Sequence, residues 1–278
     1  MLGSTEIARP QQDEQMSAAP DMNDLAAQLM REYDEHLPFA NHALKWNIPD
    51  LAGAYDLQSA FVDKLVERHG APVGYKVALT SKRMQQMCGI DQPLAGVLLA
   101  KRIHASGSAI PLSDYDHLGI EFEITVKLAR PLPARQEPYG FDEIAAAVGA
   151  IAPSFELVDD RRADYKTLDV LSLTSDNAWN AGAVLGEFCD QWADLEAIVG
   201  AADRNGERFD SGHGRDALGH PFNSLMWLAN HLSARGQGLR EGDIVMTGSL
   251  VSTRFPEPGE TYRFTLEGVG SGEVSFVA

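Results

Sequence analysis

Gly70 divides this chain into two textures, and that change of period limits the folds open to it more than any other feature. Upstream, apolar residues recur at near-helical spacing, with Leu25, Leu29 and Tyr33 in one run and Leu57, Phe61, Leu65 and Val66 in another. Met22 to about His69 is therefore predicted to be helical, with Asn23 or Asp24 as the N-cap. Downstream, short apolar runs punctuated by Gly and Pro predict strands over Val73–Leu79, Gly96–Leu99 and Ile120–Leu128. Two helices interrupt them, Phe141–Ala150 and Pro221–Ala234, the second closing on Gly236 and Gly238, and strands return from Asp243 onward. There is no internal repeat. The expectation is an α+β chain: a disordered lead-in over 1–20, a helical region over 21–70 and a β-rich domain over 71–278.

At 278 residues and 44% hydrophobic content, the chain can bury a sizeable core. Forty acidic residues against 23 basic ones give a formal charge of −17, a field that repels phosphate backbones and argues against nucleic-acid binding. No stretch approaches the roughly 18 to 20 uninterrupted apolar residues of a membrane helix. Met1–Pro20 lacks the apolar centre of a secretory signal. Cys88 and Cys189 lie far apart with no CxxC partner, which speaks against a disulfide framework or a thiolate metal site, so a reducing cytoplasm is expected. An anionic substrate meets the same repulsion as a phosphate backbone, and a site for one must cancel it locally with a metal ion, Lys or Arg.

Two segments bring carboxylates into apolar surroundings. In the strand-like Ile120–Val126, Glu121 and Glu123 project from the same face. Like charges placed so either sit on a solvated edge or share a cation. Glu156, within the apolar Ile151–Val158, needs a partner if buried, either that same cation or one of Arg161 and Arg162. Three hard oxygen donors would suit magnesium or manganese. Lys76 among apolar neighbours is either a desolvated ammonium able to serve an oxyanion or a snorkelling side chain. Asp176 is either a general acid or base or part of an Asx turn. Thr247-Gly248-Ser249 ends a strand and could bind a carboxylate or form a plain turn. His220 is read as a cap for the helix begun by Pro221.

These pieces stand in an order that resembles the fumarylacetoacetate hydrolase superfamily, in its 2-oxopent-4-enoate hydratase and 4-oxalocrotonate decarboxylase branch. The segments that carry the resemblance are GYKVALTS from Gly74, GIDQPLAGVL from Gly89, IEFEI from Ile120, SFELVDDR from Ser154, SDNAWNAG from Ser175, LGHPFNSLMWLAN from Leu218 and GDIVMTGSL from Gly242. The match runs from about Asp56 to the C-terminus. It implies a rolled mixed sheet in a metal-binding catalytic domain, a homo-oligomer, and a Mg2+ or Mn2+ ion bound by Glu121, Glu123 and Glu156. Lys76 and Asp176 would be the proton-handling pair, and Leu79, Thr80, Asn177, Thr247, Gly248 and Ser249 the substrate-binding candidates. The implied reaction is hydration of a 2-hydroxy-2,4-dienoate to a 4-hydroxy-2-oxo acid, with decarboxylation of a 2-oxo-3-enedioate as the alternative, in aromatic-ring catabolism. Remoter alternatives are a non-catalytic 2-oxo-acid binder and an acylpyruvate hydrolase. The hydrolase would need a His–Glu pair at the N-terminal edge of the site, of which the sequence has no clear equivalent. Trp179 and Ala95 depart from the branch's usual residues, and Leu94–Leu99 and Leu250–Pro258 are expected to line the pocket.

Overall fold

The structure, a computed structural model, describes residues 21–278. The lead-in expected over 1–20 lies outside them. Two helices open the chain, α1 (Met22–Asp34) and α2 (Leu51–His69). The cap of α1 is Asp21, whose carboxylate accepts the Asn23 amide at 2.8 Å, rather than Asn23 or Asp24. A cap must keep extended backbone while its side chain reaches two or three residues forward, and Asn23 and Asp24 already lie in the first turn. The long link between the helices is not slack: Trp46 and Ile48 are buried with Ala26, Leu29, Leu57 and Phe61.

From Pro72 on, twelve strands form two mixed sheets. In chain order come β1 (Pro72–Ala78), the short helix α3 (Lys82–Met87), β2 (Leu94–Leu99), β3 (Ile103–Ala105), β4 (Ser108–Pro111) and β5 (Leu118–Leu128). Then follow α4 (Phe141–Ala147), β6 (Val148–Asp159), α5 (Val170–Ser175) and β7 (Asn180–Leu185). The chain continues with β8 (Val199–Arg204), β9 (Glu207–His213), α6 (Pro221–Ala234), β10 (Ile244–Ser249), β11 (Thr261–Leu266) and β12 (Gly270–Val277). The larger sheet has the order β2-β1-β10-β5-β6-β7-β3 and the smaller β4-β12-β11-β8-β9. Among the described residues no helix is long and apolar enough to cross a membrane.

The central pair β5 and β6 decides the layout. Ile120, Phe122 and Ile124 alternate with Glu121, Glu123 and Thr125, as the period of a strand requires. Phe122 packs against Phe155 and against Phe264 of the second sheet, ring centroids 5.4 and 5.7 Å apart. The polar members are thereby turned to the opposite face. Antiparallel register sets Glu121 directly across from Glu156 and Glu123 across from Ser154.

Further sequence expectations need correction. α4 ends at Ala147 instead of Ala150, because Val148–Ala150 enter the long ladder of β6 against β5. α3 and α5, each six residues long, are too short to carry a periodic signal and add to the two helices expected after Gly70. Leu94–Leu99 is the buried strand β2, not a pocket loop.

Gly74 lets β1 lie against β10: a Cβ there would sit 1.9 Å from the Ile244 carbonyl oxygen, and its φ is +156°. Gly74→Ala is expected to lower unfolding free energy by about 2–4 kcal/mol, read as a drop in the urea midpoint at unchanged m-value.

Candidate active site

β5 and β6 supply three carboxylates to one spot, with one oxygen of each of Glu121, Glu123 and Glu156 within 4.8 Å of the others. Glu123 and Glu156 are fully buried. Each of the two has one oxygen satisfied. Glu123 Oε2 accepts the Gly248 amide at 2.7 Å, and Glu156 Oε1 accepts Asn180 Nδ2 at 2.9 Å and lies 3.0 Å from Lys76 Nζ. The other two oxygens, Glu123 Oε1 and Glu156 Oε2, are buried without a hydrogen-bond partner among the described residues. Glu121 Oε1 accepts the Thr253 hydroxyl at 2.8 Å.

Burial and, behind it, the neighbouring Glu156 and Glu121 hold the Glu123 carboxyl well above the usual carboxylate range. Burial also raises Glu156, against the opposing pull of Lys76. Burial alone would lower the Lys76 ammonium, but Glu156, Glu121 and Glu123 more than offset it and raise it. Lys76 is therefore a cation at neutral pH, and the snorkelling alternative fails because its side chain is inside. Buried carboxylates with two unsatisfied oxygens and one ammonium are an electrostatic deficit that a hard divalent cation fits.

β10 ends beside this cluster. Gly248 takes φ +110°, and a Cβ on it would come 2.3 Å from Thr80 Oγ1, so only glycine lets its amide reach Glu123 so close to that threonine. Glu121 and Lys76 line a cavity of about 660 Å³, whose wall includes Leu79, Thr80, Gly248 and Ser249, while Glu123 and Glu156 are fully buried outside that wall. Asn177 and Thr247 do not line it. The Asn177 side chain clips β2 by bonding both the amide and the carbonyl of Val97, at 2.7 and 3.0 Å. The buried Thr247 hydroxyl donates to the Ile124 carbonyl at 2.8 Å. Of Leu250–Pro258, the segment Leu250–Thr253 and Phe255 contribute to the wall.

Lys76 and Asp176 are not partners in the structure. Asp176 is fully buried and outside the cavity wall; its Oδ1 accepts the Tyr33 hydroxyl at 2.7 Å and its Oδ2 pairs with the Arg161 guanidinium. Arg161, itself completely buried, lies 4.3 Å from the Tyr33 ring centroid. It thus takes Asp176, and Glu156 takes Lys76, which excludes the Arg161–Glu156 pairing considered from the sequence. Directly after Asp176, three residues adopt positive φ: Asn177 at 49°, Ala178 at 47° and Trp179 at 59°. This turn sets Trp179 in the cavity wall and delivers Asn180 to Glu156. Ala95 lies in β2, away from the cavity, its amide bonded to the Tyr55 hydroxyl. His220 caps α6 as expected, its Nδ1 accepting the Phe222 amide at 3.0 Å.

Sequence reasoning missed Asn180, Thr253 and the Tyr33–Arg161–Asp176 cluster. Tyr33 and Asp176 are 143 residues apart, a pairing no local pattern announces. A His–Glu pair does form near the N-terminus, His42 with Glu32 at 2.8 Å, but neither residue lines the cavity.

Three comparisons bear on this arrangement. The chain is 31% identical over 237 residues to the 2-keto-4-pentenoate hydratase of Paraburkholderia xenovorans (strain LB400), covering 84% of this chain and 87% of that protein. It is 30% identical over 240 residues to the 4-oxalocrotonate decarboxylase of Pseudomonas putida, covering 85% and 90%. The solved 4-oxalocrotonate decarboxylase from Pseudomonas putida G7, complexed with magnesium and adipate, superimposes with a TM-score of 0.84 at 27% identity, over 92% of this chain and 97% of that one. The family model for the fumarylacetoacetate (FAA) hydrolase C-terminal region matches residues 74–277, so the resemblance and the α+β fold read from the sequence hold, and the chain belongs to this family.

Proposed function

We propose that this chain is a divalent-metal-dependent lyase acting on a small 2-oxo acid, and that its reaction is hydration of a 2-hydroxy-2,4-dienoate to a 4-hydroxy-2-oxo acid. The observation that carries the reading is the pair of carboxylate oxygens on Glu123 and Glu156 that have no partner among the described residues, buried with Lys76 and grouped with Glu121, which lines the cavity. Glu121, Glu123 and Glu156 would hold Mg2+ or Mn2+. Bound there, the ion supplies Lewis-acid stabilisation for negative charge gathered on the substrate's carboxylate and 2-oxo oxygens.

The chain's own groups do the rest. Asn180, Thr253 and the Gly248 amide orient the three carboxylates, as supporting hydrogen bonds around metal ligands generally do. Lys76, a cation at neutral pH, favours the enolate-like charge distribution and is placed to give a proton rather than to take one. In the overall change the enol proton leaves O2 and a proton arrives at C5; water then adds at C4, its second proton ending on C3. Leu79, Thr80 and Ser249 shape the wall around the substrate. Asp176 is proposed to act at one remove: anchored by Arg161 and Tyr33, it holds the turn that carries Trp179 and Asn180.

Decarboxylation of a 2-oxo-3-enedioate is the second reading, supported by the relative that bears that name and superimposes over nearly its whole length. Loss of CO2 leaves the same negative charge on the same oxygens. Metal-stripped protein, assayed with and without magnesium against 2-hydroxypenta-2,4-dienoate and 2-oxohex-3-enedioate with products identified by mass, separates the two. Magnesium-dependent gain of one water from the first is expected. Loss of CO2 from the second instead would replace hydration with decarboxylation, and turnover of neither would refute both.

A further inference from the structure

Seven large apolar side chains are exposed among the described residues, and three of them, Met87, Tyr165 and Phe255, gather on the wall of the cavity that Glu121 and Lys76 line. They are 51%, 38% and 43% exposed. Scattered singly, such residues need no explanation, but a cluster at a cavity marks a surface that binds something apolar. Met84 and Met87 stand one turn apart on α3 and share the face it turns to the cavity. Trp179 completes the wall, held in place by edge-on contacts to Phe39 and Tyr165, centroids 5.1 and 5.7 Å away. The left-handed path through Asn177, Ala178 and Trp179 is a costly conformation for residues with a Cβ. Its product here is a broad indole surface in the cavity.

Volume points the same way. A five-carbon 2-oxo acid has eight non-hydrogen atoms. Allowing each the ~30 Å³ that a water molecule occupies in the liquid, it fills on the order of a third of the cavity of about 660 Å³. Met84, Met87, Tyr165, Trp179, Phe255 and four leucines stand on its wall alongside polar side chains. Lys76 is engaged with Glu156, leaving Arg83 as the other cation on the wall. It is exposed, makes no hydrogen bond or ion pair among the described residues, and shares the cavity with Asp210 and Asp216. Its exposure to solvent screens its charge, which weakens it as an anchor for a second carboxylate.

We infer that the substrate of this chain carries an apolar group, alkyl or aryl, at the end remote from its 2-oxo acid head, received by Met84, Met87, Tyr165, Trp179 and Phe255. The inference rests on the proposed reading that the carboxylate cluster engages that head. The test is a series of 2-hydroxy-2,4-dienoates bearing hydrogen, methyl, propyl or phenyl on the terminal carbon, together with one bearing a carboxylate. The specificity constant kcat/KM is expected to rise about fourfold for each methylene buried. In Met87→Ser and Phe255→Ser, both exposed positions where folding is not at stake, the loss relative to wild type should grow with tail length. A flat response overturns the inference, as does a preference for the carboxylate tail that Arg83→Ser removes. A second readout is calorimetric binding of saturated 2-oxo acids, from 2-oxobutanoate to 2-oxooctanoate, in magnesium. Affinity that increases with length supports the tail site even without turnover. Magnesium-dependent binding without length dependence sinks the tail site but leaves the proposed head chemistry standing, whereas no binding by any member refutes both.

Discussion

Glu123→Gln is expected to lower turnover by about 10³-fold or more while making the metal-free protein more stable at neutral pH. Supporting partners of a metal ligand already cost roughly 10- to 100-fold in metal affinity or activity, and a ligand should exceed them. The stability gain follows from linkage. Burial and its acidic neighbours raise the Glu123 carboxyl in the folded state, so the folded protein binds a proton more tightly than the unfolded chain does. Stability from this group is present at low pH and is lost as pH climbs from the ordinary carboxylate value near 4.5 towards the raised one. Glutamine removes the charge, and that loss with it. Thermal melts of metal-free wild type and variant between pH 4 and 8 should diverge in favour of the variant as pH rises. Magnesium should raise the wild-type melting temperature and leave the variant's nearly unmoved. A variant that melts lower than wild type throughout would mark Glu123 as a structural residue.

Arg161→Met should cost about 3–5 kcal/mol, the usual price of stripping one partner from a buried ion pair. The guanidinium has no exposed surface, and its removal leaves the Asp176 carboxylate buried with the Tyr33 hydroxyl as its one side-chain partner among the described residues. A fall in melting temperature of roughly 10 °C corresponds to that range for a chain of this size. Asp176 is already raised by burial with Arg161 opposing it. Without the arginine the folded protein favours the protonated acid further, so the variant's deficit should widen as pH rises and narrow in acid. The double variant Arg161→Met with Asp176→Leu should recover part of the loss, because a neutral pair needs no counter-charge. Activity should fall in Arg161→Met beyond what unfolding explains, since the turn that presents Trp179 and Asn180 begins at Asp176. Equal activity per folded molecule would remove Asp176 from any positioning role.

Much of this protein is written locally. The alternation of Ile120, Glu121, Phe122, Glu123 and Ile124 determines a strand with apolar side chains on one face and carboxylates on the other, because successive residues of any strand point to opposite sides. The periodic runs before Gly70 specify helices for the corresponding reason, and Pro221 after a capping His220 starts α6 where the sequence puts it. Boundaries read less well where two local preferences compete, as at Val148–Ala150, which the ladder with β5 claims from the helix. The site divides along the same line. That Glu121 and Glu123 lie together follows from their spacing of two. That Glu156 faces them, that Lys76 rather than an arginine neutralises it, and that Asp176 turns away to Arg161 and Tyr33 follow from strand register and helix packing between residues 15 to 143 positions apart. Such pairings are chosen by the free energy of burying charge with its partner, which exists only after the chain has folded, and so no local pattern can announce them.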